Sequence, residues 1–220
     1  GFNWNVNVNF FANESEVTDI GDNDILIYAG FTNLGNGARV GYPLGAMFGS
    51  RIARAEDGNL LVDGVGNYLA DQVDEDGVLP FIGDPNPDFV MNYTNTFEYK
   101  GLSLGFAINH TSGGDIYSTT TATLMGRGLT TDTENRLSTY ILPGVNINTG
   151  LPNDIQINNS NFYFDNGFAS PADELSVYDG SVVRLREVNI AYSLPSKLLN
   201  KTPFGKVTIK ASAFNMWYNA

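Results

Sequence analysis

The stretch Phe2-Asn3-Trp4-Asn5-Val6-Asn7-Val8-Asn9-Phe10 places a large apolar side chain at every even position and an asparagine at every odd one. Successive side chains of a β-strand point to opposite faces, so this segment has an apolar face and an amide face. A row of amides is too polar for a protein core, and an ordinary solvated surface carries charge. A strand with lipid on one side and pore water on the other satisfies both halves of the pattern. The stretch therefore predicts a strand of an outer-membrane β-barrel.

The pattern recurs. Phe89, Met91, Tyr93, Phe97 and Tyr99 share one parity, with Asn92, Thr94, Thr96 and Glu98 on the other. Beyond a tight Lys100-Gly101 turn, Leu102, Leu104, Phe106 and Ile108 alternate with Ser103, Gly105, Ala107 and Asn109. Val188, Ile190, Tyr192 and Leu194 alternate with Glu187, Asn189, Ala191 and Ser193, and Val207, Ile209, Ala211 and Ala213 with Thr208, Lys210 and Ser212. A membrane-crossing β-strand needs ~9–11 residues, about the length of each run. One such run alone reads equally well as a half-buried strand of a soluble sandwich. Five together, rich in aromatics, predict the barrel.

Composition narrows the field. The chain has 220 residues, and no stretch approaches the ~18 uninterrupted apolar residues of a membrane helix. With no cysteine there is no disulfide frame and no thiol chemistry. A formal charge of −12 argues against nucleic acid as a partner, since phosphates would be repelled. The acids crowd into one segment: Glu56, Asp57, Asp63, Asp71, Asp74, Glu75, Asp76, Asp84 and Asp88. Such a run reads first as a solvated acidic loop. Its hard oxygen ligands also suit calcium, although residues 71–77 do not follow the EF-hand spacing.

The connections alternate between short and long. Lys100-Gly101 is a tight turn and residues 195–206 a modest one, with a helical turn expected over 196–200. Two excursions, about 12–88 and about 111–181, far exceed the ~12–15 residues of a structureless loop. Short periplasmic turns and long extracellular loops are the asymmetry of outer-membrane barrels. Both excursions are expected to be folded, because they contain Tyr28, Phe31, Tyr42, Phe48, Tyr68 and Phe81, and then Tyr117, Tyr140, Phe162, Tyr163, Phe164 and Phe168. Disordered tracts are poor in such residues. Residues 25–28 and 39–48 are expected to add strand pieces, and no internal repeat stands out. The smallest membrane barrels have ~8 strands, and an open edge in lipid leaves backbone groups unpaired at several kcal/mol each. The expectation is therefore part of a larger all-β barrel, beginning and breaking off inside strands and without a signal peptide.

Four stretches carry a resemblance: Val40-Gly41-Tyr42-Pro43-Leu44-Gly45, Ile82-Gly83-Asp84-Pro85-Asn86-Pro87-Asp88-Phe89, Ser112-Gly113-Gly114-Asp115-Ile116-Tyr117, and Tyr178-Asp179-Gly180-Ser181-Val182-Val183-Arg184-Leu185-Arg186-Glu187-Val188. With the ending Phe214-Asn215-Met216-Trp217-Tyr218, they make the chain resemble the C-terminal barrel portion of SusC/RagA-like TonB-dependent outer-membrane receptors of Bacteroidetes. The resemblance implies an antiparallel barrel of about 22 strands around an N-terminal plug, a size the plugged transporters reach. It also implies a SusD-like surface lipoprotein as a lid, and uptake of oligosaccharides or peptides driven through TonB. The alternatives are a SusC-like barrel serving as a structural subunit of a larger envelope complex, or a secreted soluble β-sandwich that binds glycans.

The motifs have structural readings too. The prolines of Gly-Asp-Pro-Asn-Pro-Asp fix φ while Asp84 and Asn86 cap amides at a strand entrance. Gly113-Gly114 permits positive φ where a strand ends. Arg184, Arg186 and Glu187 are expected to form a charged cluster at the barrel rim or lumen. Catalytic chemistry is missing from the pattern. His110 is the single histidine, read as an interfacial or loop-packing residue, and there is no zinc-binding His-Glu helix motif or phosphate loop. No enzyme is expected, no catalytic, cofactor or metal residues are assigned, and the ligand-binding residues are not legible. Tyr68 and Tyr163 have rings that suit sugars, though folding the loops is the commoner use of such side chains.

Overall fold

A computed structural model describes residues 1–31, 33–163 and 172–220; Phe164 and Phe168 lie outside the described residues. Strands dominate, nearly all antiparallel, with a few short helices, the expected all-β class. The chain divides into two compact units.

The first unit comprises Gly1–Glu14, Pro87–Gly114 and Gly180–Ala220. Its strands, β1 (Phe2–Phe11), β2 (Pro87–Tyr99), β3 (Leu102–Gly113), β4 (Val182–Ser193) and β5 (Thr208–Asn219), form one five-stranded sheet in chain order. Each expected run is found, displaced by a few residues at its ends. The hairpin between β2 and β3 turns through Lys100 and Gly101, both at positive φ (46° and 86°). That pair makes the tight turn whose twist matches the flanking strands. Between β4 and β5 the expected helical turn is a short helix, Ser196–Leu199, with Pro195 at its N-cap.

Register fixes the two faces. Trp4 lies opposite Phe97, Phe97 opposite Leu104, Leu104 opposite Ile190, and Ile190 opposite Ala211. One residue away, Asn5 leads through Thr96, Gly105 and Asn189 to Ser212. The ladder shifts at the end of β3, between Ser112 and Gly113 against β2, and within the sheet where Arg186 of β4 is extra against β3 and the β4–β5 pairing skips between Leu185 and Glu187. Opposite this irregularity Asn215 takes positive φ, 51°. Such bulges bend a strand and raise its twist.

The second unit, Ser15–Asn86 with Asp115–Asp179, is made from the two long excursions. Leu26–Phe31, Leu34–Ala38, Met47–Phe48 and Phe81–Gly83 form a four-stranded sheet over a core of Ala46, Phe48 and Ile52. Of the strand piece expected over 39–48 only Met47–Phe48 is strand, while residues 39–46 form turns, with Gly41 and Gly45 at positive φ. Leu61–Val62 pairs in parallel with Val145–Asn146 of the other excursion. Further ties join them: Asp173 Oδ2 accepts from the Ser50 N–H (2.9 Å) and hydroxyl (2.6 Å), Glu174 Oε1 from the Ile52 N–H (2.8 Å), and Asp115 Oδ2 from the Asp84 N–H (2.9 Å).

A repeat invisible in the sequence emerges here. At 55–59, 63–67 and 74–78 the first residue's N–H bonds the fifth residue's carbonyl, and the fourth residue is a glycine whose N–H returns to the first residue's carbonyl. Those glycines, Gly58, Gly66 and Gly77, have φ of 85°, 94° and 77°. Three-residue hairpin loops closed by a left-handed residue have this form.

Candidate functional site

The polar face of the first unit crosses the sheet in rows. One runs Asn9, Asn92, Asn109, Arg184, Tyr218, and another Asn3, Glu98, Ser103, Ala191, Lys210. Neighbouring amides engage one another: Asn109 Nδ2 donates to Asn92 Oδ1 (3.0 Å), Asn3 Nδ2 to Glu98 (3.3 Å) and Asn189 Nδ2 to Glu187 (3.3 Å). Five strands at ~4.8 Å spacing make each row ~19 Å wide. Such a surface hydrogen-bonds water and uncharged polar groups with little net charge.

The expected cluster of Arg184, Arg186 and Glu187 is only partly brought together. The two arginines line a small cleft of about 230 Å³ with Asn215, Trp217 and Tyr218, and form no ion pair among the described residues. Glu187 turns to Asn189 instead.

The opposite face carries Phe2, Trp4, Val8, Phe10 and Ile209, each more than half exposed. Rings gather toward both ends of β1: Trp4 stacks on Phe97 (6.0 Å between centroids), and Phe10 on Phe89 (5.5 Å). From Phe2 to Phe10 is ~27 Å along a strand, about the height of a barrel's apolar band with its flanking aromatics. His110 lies on this face, edge-on to Phe89 at 5.1 Å. Asn95, which breaks the apolar parity of β2, is 1% exposed. Its Oδ1 accepts from the Trp4 indole N–H (2.9 Å), while its Nδ2 has no partner. Sequence reasoning passed over Asn95, although its parity was already visible.

In the second unit the acids cap turns. Asp57 accepts from the Asn59 N–H and amide, Asp63 from the N–H groups of Val65 and Asn67, and Asp74 from those of Asp76 and Val78. Among the described residues no three acidic or histidine side chains converge as a metal site. At the proline-rich entrance to β2 Asp84 caps the Asn86 N–H as expected, whereas the Asn86 side chain donates to the Leu44 carbonyl and to Asp84. The one buried cation among the described residues is Arg39, 8% exposed, paired with Asp74 and Asp76 and lying over the Tyr42 ring. Burial pushes the Asp74 carboxyl up, but the Arg39 guanidinium and the N–H groups of Val78 and Asp76 outweigh it and hold it below the ordinary range.

Two segments of the second excursion enclose an open cleft of about 720 Å³. Tyr140, Phe162 and Tyr163 face Asp132, Glu134 and Asn135 across it. Phe162 is the hub, edge-on to Tyr163 (4.8 Å), Tyr140 (6.2 Å) and Tyr68 (6.3 Å). Burial keeps these phenols protonated, that of Tyr140 pushed up to about 12. Of the two sugar-suited rings, Tyr163 lines the cleft and Tyr68 only buttresses it; Tyr140 was missed as a site residue.

An antiparallel sheet with one exposed apolar face and one amide face, carrying a folded unit on its long connections, is the architecture that walls a membrane β-barrel. Comparison with known proteins agrees. No protein-family model matches the chain. TonB-dependent receptor P3 of Formosa agariphila is 25% identical over 238 residues, covering 98% of this chain and 22% of the receptor. TonB-dependent receptor P26 of the same organism is 24% identical over 241 residues, with the same coverage. Among solved structures, the RagAB peptide importer in its closed-closed state aligns over 100% of this chain and 24% of its own, with TM-score 0.62 and 16% identity. The RagAB peptide transporter aligns over 99% of this chain and 24% of its own, with TM-score 0.60 and 17% identity. The structural likeness bears on fold, and the chain spans 22–24% of the length of these proteins. In sequence the chain is similar to TonB-dependent receptors, and in fold to the RagAB importers.

Proposed function

We propose that this chain is the C-terminal part of the wall, with the large extracellular loops, of an outer-membrane importer of the SusC/RagA kind. In this reading β1 to β5 are staves of a closed barrel of about 22 strands. The apolar face meets lipid, the amide face meets plug or lumen water, and the second unit stands on the cell surface beneath a SusD-like lipoprotein. Oligosaccharides or peptides enter the barrel, and TonB supplies the energy from the inner membrane. The observation that carries the reading is the exposed apolar face. A soluble sandwich needs that parity buried between sheets, whereas here Trp4, Phe10 and Ile209 remain open. The likeness to TonB-dependent receptors and to the RagAB importers supports the same conclusion.

The test uses the full-length protein in its own membrane. Uptake of the imported oligomer should vanish on deletion of the receptor and equally on deletion of TonB, and affinity purification should recover a surface lipoprotein with the barrel. Uptake indifferent to TonB would overturn the transport reading. A receptor that stays soluble without detergent would overturn the barrel.

A further inference from the structure

We propose that the cleft between residues 130–142 and the helix Asn159–Tyr163 binds a neutral oligosaccharide. The proposal rests on the import reading and gives it a substrate contact. A volume of about 720 Å³ lies within the range of ligand sites. Its lining combines the rings of Tyr140, Phe162 and Tyr163 with the side-chain oxygens of Asp132, Glu134 and Asn135. A sugar ring offers the complement of both, C–H groups on its face and hydroxyls around its edge.

The cleft is built rather than incidental. Asn159, 5% exposed, spans it from below: its Nδ2 donates to the carbonyls of Asp132 (3.2 Å) and Asn135 (2.8 Å), and its N–H to the Ser138 carbonyl (3.2 Å). Thr133, fully buried, closes the turn with its hydroxyl on the Thr130 carbonyl (2.9 Å). The edge-on contacts of Phe162 fix the tyrosine rings. A wall held in this way loses little freedom when a ligand arrives.

Charge decides the ligand class. Among the described residues no cationic side chain lines the cleft, so a uronate or phosphorylated ligand finds no opposite charge there. A cationic peptide would gain little from Asp132 and Glu134, because both are exposed and screened. Neutral hydroxyls lose nothing to the missing cation and find acceptors in the carboxylates, and donors as well as acceptors in the protonated phenols.

The probes are laminarihexaose, cellohexaose and mannohexaose, with hexagalacturonate and trilysine as the anionic and cationic arms. Each is titrated calorimetrically into the full-length receptor in detergent. At least one neutral hexasaccharide should bind. Its affinity should fall at least tenfold in Tyr140→Ala or Tyr163→Ala, by less in Tyr140→Phe, and not at all in the loop control Val73→Ala. Tyr140→Phe keeps the ring packing, so its loss of affinity is not a folding effect. Failure of all three neutral probes, unchanged affinity in both alanine variants, or tighter binding of hexagalacturonate or trilysine would overturn the proposal. Uptake measured in parallel separates this inference from the import reading. Unaltered binding and uptake in the tyrosine variants sinks the cleft alone, whereas glycan binding that depends on the tyrosines, with uptake indifferent to TonB, sinks transport alone.

Discussion

Arg39 is a buried cation held between Asp74 and Asp76, and truncating it leaves Asp74 half-sequestered without its partner. Arg39→Ala should destabilise the second unit by ~2–3 kcal/mol, the usual worth of a charge-assisted bond, read as faster proteolysis of that unit. Because Asp74 is held below its ordinary range when folded, its contribution is complete above the unfolded value of ~3.9 and disappears as the pH falls through the folded one. Proteolysis of the unit should therefore accelerate below pH ~4, and that acid step should be missing in Asp74→Asn. On the sheet the prediction is one of parity. Leu104→Arg or Ile190→Arg should cost ~2–4 kcal/mol in urea unfolding from phospholipid vesicles, and Ser103→Arg or Asn189→Arg much less. Equal costs on both parities would refute the assignment of faces.

The strands and turns differ in how far their sequences announced them. All five strands of the sheet were legible, because solvent of opposite kinds on the two sides imposes the period of two on every residue. Inside the excursions strands are two to six residues long and owe their existence to distant partners, as Val145–Asn146 owes its to Leu61–Val62. The strand piece expected over 39–48 is accordingly reduced to Met47–Phe48, with Gly41 and Gly45 turning the chain before it. The cleft was half legible: its aromatics were listed, but their convergence depends on Asn159 bridging carbonyls 24 and 27 residues away. The repeated turn was missed because only its glycines recur. Those glycines give a graded test. A side chain at positive φ costs ~1–2 kcal/mol, so Gly58→Ala and Gly77→Ala, which open into free space, should lose about that much. Gly66→Ala should lose more, since its Cβ would come within 2.7 Å of Ile157. Denaturation followed by the fluorescence of the unit's tyrosines would rank the three.

For the molecule as a whole, both units are built across the long excursions. In the sheet β2–β3 and β4–β5 pair across short connections, while β1–β2 and β3–β4 pair across an excursion, as the second unit interleaves Ser15–Asn86 with Asp115–Asp179. If the protein is a barrel, the purified receptor should migrate on gels as a compact species until boiled and then shift to its full apparent mass. Variants confined to the second unit should leave that shift intact.

The interleaving has a temporal side. Leu61–Val62 finds its parallel partner only after some eighty further residues, and Ser50 waits for Asp173 across 123 positions. Contacts so distant in sequence form slowly, because the intervening chain must be gathered before any bond rewards it. The β2–β3 hairpin and the β4–β5 connection need no such wait. The order of assembly is therefore built into the connectivity: the two pairings with short connections first, and the pairings that span an excursion, in the sheet and in the second unit alike, after them.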